Sequence, residues 1–168
     1  MNFHNFNSLK ILFIVPVIAL IFACNHKHKQ LSTERVSAVK TGVTKLTVDI
    51  AGAISTKGPA AWLDYFENSQ DFFMASDGQI VFHNYTSAQK FIQDTLIKNI
   101  SKIKLNWGNM RINVLSPRAA SIGSDFHEDI TMTAGNKLVP VDGYFTGVAV
   151  LDGNNWKLRN LHWSIKTH

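Results

Sequence analysis

The stretch "GYFTGVAVLDGNNWKLRNLHWSI", residues 143–165, decides how the fold is read. Apolar and polar residues alternate on both sides of Asp152–Asn155, a segment of turn formers, so two long strands meet in a hairpin. A four-residue loop pairs Leu151 with Trp156, Gly147 with Asn160, Phe145 with His162 and Gly143 with Ser164. Cross-strand partners share a face of the sheet. His162 and Ser164 therefore share theirs with two glycines, which leave room above the strand.

Working outward, the period of two begins near residue 103. Four strands are expected, at 103–115, 119–133, 138–151 and 155–166. Their turns are "SPRA" (Ser116–Ala119), "AGNK" (Ala134–Lys137) and "DGNN" (Asp152–Asn155). Upstream the period becomes helical. Val36, Val39, Val43, Leu46, Ile50 and Ile54 form one apolar stripe on a helix from Thr33 to Ile54, capped by Ser32 or Thr33. Gly58 and Pro59 end that helix and start another through Trp62, Leu63 and Phe66. "DFFMASDGQIVFHN" reads as a short hairpin about Asp77–Gly78. "YTSAQKFIQDTLIKNI" is a third helix, with Thr86 and Gln89 at capping-box spacing. Helices, then a meander, mean an α+β domain with helices on one face of an antiparallel sheet.

The front of the chain is of another kind. Lys10 precedes an unbroken apolar run from Ile11 to Ala23. That run falls short of the roughly 20 residues a membrane helix needs and suits a secretory leader at 1–23. "IFAC" resembles a bacterial lipobox, with Ile21 for the commoner leucine and Phe22 for a small residue. By that resemblance Cys24, the one cysteine in the chain, becomes the lipidated N-terminus. Residues 24–32 then form a tether, and 33–168 the domain. An uncleaved anchor with an incidental cysteine is the plainer alternative. Asn25 is not the aspartate often linked with inner-membrane retention, so the resemblance places the protein in the cell envelope, on the outer membrane facing the periplasm.

Composition narrows the partners. The chain has 168 residues, 45% hydrophobic and 17% charged, which excludes a disordered tail. Net charge is +5, and removing residues 1–23 lowers it by one, the charge of Lys10. Basic residues are scattered, without the stripe a nucleic-acid surface shows, so no nucleic-acid partner is expected. His26 and His28 sit in the tether, where solvated histidines are commonplace.

The order helix–helix–hairpin–helix–four strands resembles the nuclear transport factor 2-like superfamily, which includes SnoaL-like cyclases and ketosteroid isomerases. The pieces that carry the resemblance are "AAWLDYFENSQDFFMASDGQIVF", "VLSPRAASIGSDF", "GYFTGVAVLDGNNWKL" and "LHWS". Together they span about residues 33–166. The resemblance implies a cone: a strongly bent sheet wrapped on an N-terminal helical layer, with a pocket at its wide end. Dimers through the outer sheet face are common in such folds, and Trp107, Leu161 and Trp163 are candidates for one here.

A similar turn at Ala134–Lys137 sets Phe126 against Phe145 and Glu128 against Gly143. Ala120, Ile122, Ser124, Phe126, Glu128 and Ile130 form the drier face of their strand. Ser121, Asp125, His127, Asp129 and Thr131 form the wetter one. The expected pocket therefore comprises Trp62, Phe66, Phe126, Glu128, Phe145, His162 and Ser164. Its ligand is small and apolar or amphipathic, with a polar handle. A plainer reading has His162 and Ser164 hydrogen-bonding the helices to seal the cone.

For catalysis, Glu128 and His162 are the candidates, through proton transfer. The set is thin. Ketosteroid isomerase-like proteins place a basic aspartate near the end of the first hairpin strand, whereas Asp77 falls in the turn itself. Tyr65 and Tyr144 match no oxyanion motif. Ser164–His162–Glu128 lacks the strained elbow of a nucleophile, and His83 and His127 fall away from His162, so no metal site and no cofactor is expected. The leading expectation is a lipid-anchored binding or accessory domain without catalysis. An isomerase, dehydratase or cyclase using the cone pocket is the alternative.

Overall fold

The computed structural model describes residues 31–166. The expected leader, Cys24 and all but the end of the tether lie outside the described residues. Helix α1 spans Thr33–Lys57, with the Ser32 side chain accepting from the Arg35 backbone N–H. Its expected stripe is its buried face: Val39, Val43, Leu46, Ile50 and Ile54 are each 5% exposed or less. Two further bonds fasten this helix, rich in β-branched residues, to its surroundings. The Trp107 indole N–H donates to the Thr47 carbonyl (2.9 Å) and the Tyr65 hydroxyl to the Asp49 carbonyl (3.1 Å). Gly58, at φ 77°, ends α1. Pro59–Asp64 then winds as a 3₁₀ helix, where an α-helix was expected.

Strands β1 (Phe73–Ser76) and β2 (Gln79–Phe82) close over Asp77 and Gly78, both at positive φ, as an Asp-Gly hairpin requires. Helix α2 (Tyr85–Phe91) is capped by Asn84, whose side chain and that of Ser87 satisfy each other's backbone N–H. This capping box lies two residues before the expected Thr86–Gln89 pair. A π-helical turn, Ile92–Leu96, and a last turn, Ile97–Asn99, lead into the sheet.

The expected strand 103–115 is two strands, β3 (Ile100–Trp107) and β4 (Arg111–Ser116). Both pair with β5 (Ala119–Met132), end to end along one edge. The break falls at Gly108, which donates its N–H to the Asp125 carbonyl and has Asp125 Cβ 3.0 Å from where a Cβ of its own would stand. β6 (Leu138–Asp152) and β7 (Asn155–Ile165) complete a seven-stranded sheet ordered β2-β1-β7-β6-β5-β3, with β4 also on β5. β1 runs parallel to β7; the other pairs are antiparallel. The sheet is strongly curved and unclosed, and α1 packs its buried face against it. Among the described residues no helix is long and apolar enough to cross a membrane.

Candidate functional site

The inner face of β5 is as expected. Ala120, Ile122, Ser124 and Phe126 are at most 3% exposed, and Glu128 is 8% exposed. The β5–β6 register differs from the expected one by two residues, pairing Phe126 with Gly143 and Glu128 with Val141. A shift of two keeps parity, so Glu128 stays inside.

On β7 parity does not hold. The hairpin starts as expected, Leu151 opposite Trp156, and Leu158 pairs with Ala149. Arg159 is then an extra residue, a β-bulge, and Asn160 pairs with Val148. Beyond it every side chain has changed face. Leu161 (1% exposed) and Trp163 (8%) point inward. His162 lies exposed opposite Thr146, and the Ser164 hydroxyl donates to the Tyr144 carbonyl (3.3 Å). The expected grouping of Glu128, His162 and Ser164 therefore does not form, and neither does an outward Trp107–Leu161–Trp163 patch.

The two glycines do not leave open space either. A Cβ on Gly143 would meet the Ser164 carbonyl and, at 2.5 Å, the Phe126 ring. One on Gly147 would lie 2.8 Å from the Phe145 ring. Both positions are filled by aromatic rings. Phe126 and Phe145 pack against Trp163, with ring centroids 4.8 and 5.0 Å away, and form the floor beneath it.

A cavity of about 310 Å³ remains above that floor. Trp62, Phe66 and Glu128 line it as expected; Phe126, Phe145, His162 and Ser164 do not. Sequence reasoning missed the walls given by Phe91, Ile92 and Leu96 at the π-helical turn, by Ile130 and Val141, and by Leu161 and Trp163. Exposed Val81, Phe91 and Ile165 mark its open side. Trp62 stacks on Phe66 (5.7 Å) and meets Trp163 edge-on (5.5 Å).

Among the described residues, Glu128 is the one ionisable residue in the lining. Desolvation pushes its carboxyl up from 4.5 to about 7, against a smaller opposing pull from His127 across the sheet. His127 itself faces outward between Asp142 (2.8 Å) and Asp129 (3.3 Å), and the hydrogen bond to Asp142 is the main cause that raises its pKa. Among the described residues, no three His, Cys, Asp or Glu side chains gather as metal ligands. A carboxyl poised near neutrality in an apolar hollow can bind a donor group or exchange a proton.

No family model matches the chain, and no curated protein does. Solved structures match well in shape. A scytalone dehydratase-like protein from Novosphingobium aromaticivorans aligns with TM-score 0.70 at 12% identity, covering 81% of this chain and 89% of its own. A nuclear transport factor 2-like superfamily protein from Salmonella enterica aligns with TM-score 0.68 at 18% identity, over 79% and 94%. The hexachlorocyclohexane dehydrochlorinase LinA-type3 from Novosphingobium barchaimii aligns with TM-score 0.64 at 12% identity, over 81% and 92%. At such identities the likeness speaks for the fold: residues 33–166 adopt the nuclear transport factor 2-like cone.

Proposed function

We propose that the cone is a binding domain for a small, mostly apolar molecule, held at the cell envelope by lipid on Cys24. The observation that carries the binding reading is the apolar cavity of about 310 Å³ with a buried carboxyl, Glu128, in its lining. That volume is at the low end of ligand pockets, roughly 300–1,000 Å³. Aromatic walls supply most of the affinity, and the carboxyl sets orientation. Titration calorimetry of the full chain with small aromatic probes tests it. Val141→Trp, which fills the cavity from β6, abolishes binding and leaves the unfolding transition cooperative. Binding unchanged in that variant sinks the reading.

A second reading is proton transfer by Glu128, as in a dehydratase, isomerase or cyclase. Its support is the carboxyl held near pH 7, where a general base is most effective. Two of the structural neighbours also carry the names of a dehydratase and a dehydrochlorinase. For any substrate turned over, Glu128→Gln removes activity while binding persists. Turnover surviving that change excludes Glu128 as the base.

A further inference from the structure

The cavity holds an acid without a partner. Glu128 is more than nine-tenths buried, and no described side chain donates a hydrogen bond to it. None of the described lining residues is a lysine, arginine or histidine. The hydroxyl of Ser76, the other polar lining side chain besides the indoles, already donates to Asp77 (2.9 Å). His127, the adjacent charge, is turned to the outer face and engaged by Asp142 and Asp129. Opposite Glu128 across the sheet stand Leu105 on β3 and Val141 on β6, which offer no charge. Among the described residues no side chain completes this site.

A buried carboxylate without a counter-charge is costly: it takes up a proton, or it meets a partner that enters from outside. Three head groups could enter on a small apolar body. A carboxylate meets Glu128 as a like charge, and one of the two must take up a proton. An alcohol gives one hydrogen bond but no opposite charge. An ammonium group forms a charge-assisted pair with Glu128. It also enters a hollow lined by Trp62, Phe66, Phe82, Phe91 and Trp163. A cation within about 6 Å of such rings gains cation–π attraction. The charge of Glu128 and the aromatic lining favour the same head group.

We infer that the ligand is an apolar amine bound as its ammonium ion, its charge paired with Glu128 and its body held among the aromatic walls. This rests on the pocket reading above.

Three probes of one size separate the head groups: 2-phenylethylamine, 2-phenylethanol and phenylacetate, titrated into the full chain in detergent at pH 8. The amine binds at least about tenfold more tightly than the alcohol, as a buried charge-assisted pair requires, and phenylacetate does not bind. Glu128→Gln removes the amine's advantage and leaves the alcohol's affinity in place, which shows the cavity intact. At pH 6 binding of the amine displaces about one proton from Glu128, read from the buffer dependence of the heat; at pH 8.5 it displaces almost none. If the alcohol or phenylacetate binds as tightly as the amine, or if Glu128→Gln keeps the amine's advantage, the amine assignment falls and the pocket stands. If none of the three binds, both fall.

Discussion

Along β5, the inward residues before Glu128 (Ala120, Ile122, Ser124 and Phe126) bury almost completely and carry no charge. Glu128 continues that row with a carboxyl whose pKa burial lifts to about 7. Between pH 4.5 and 7 the folded protein therefore holds a proton that the unfolded chain has released. Stability falls as pH rises through that window and levels off above it, by about 3 kcal/mol at most. Other groups titrate too. His127, also raised, weakens the fold in the same direction, whereas Glu67, lowered mainly by its hydrogen bonds from Arg159, weakens it as pH falls. The difference between wild type and Glu128→Gln cancels both. Urea unfolding at pH 5 should find the two chains within about 1 kcal/mol. At pH 8 the glutamine chain should be the more stable by up to about 3 kcal/mol. Equal stability at both values would mean that the carboxyl reaches water.

At the scale of elements, β7 decides which side chains see the cavity, and its bulge decides β7. Arg159, the inserted residue, makes a two-pronged bond to Glu67, with both N···O distances 2.6 Å. Glu67 is 8% exposed, and its backbone N–H donates to the Leu158 carbonyl beside the bulge (2.8 Å). Arg159→Ala should cost about 2–3 kcal/mol in urea unfolding at neutral pH, because it leaves a buried carboxylate with only Ser69. The cost should shrink as pH falls toward 4, where the abandoned Glu67 can protonate. The bulge also marks where sequence reading reached its limit. Parity arguments placed β5 correctly, since an error of two residues changes no face. They failed on β7 because one extra residue reverses everything after it. A trace of the slip is present in the letters: the apolar positions are 156 and 158, then 161, 163 and 165. That change of phase at Arg159–Asn160 signals a bulge. The π-helical turn at Ile92–Leu96 was not read, because apolar residues three and four apart there fit an ordinary α-helical stripe as well.

For the molecule as a whole, anchoring and folding should separate. The core that holds the cone runs from Val39 to Trp163 and draws on α1, the 3₁₀ turn, α2 and the sheet. No internal disulfide is available to it, because Cys24 is the lone cysteine. If "IFAC" is read as a lipobox, lipid on Cys24 governs where the cone resides and leaves its stability to packing. Cys24→Ser should move the protein from the detergent phase to the aqueous phase on phase separation, and should end its labelling by a radioactive fatty acid. Its chemical unfolding midpoint should match that of wild type, because the described core is drawn from residues 39–163. A wild-type chain that takes up no label, together with detergent partition kept after Cys24→Ser, would leave the apolar run Ile11–Ala23 as the anchor itself. The two outcomes differ in chemistry: a thioether-linked lipid follows the sulfur, whereas an uncleaved apolar segment is indifferent to one atom's change.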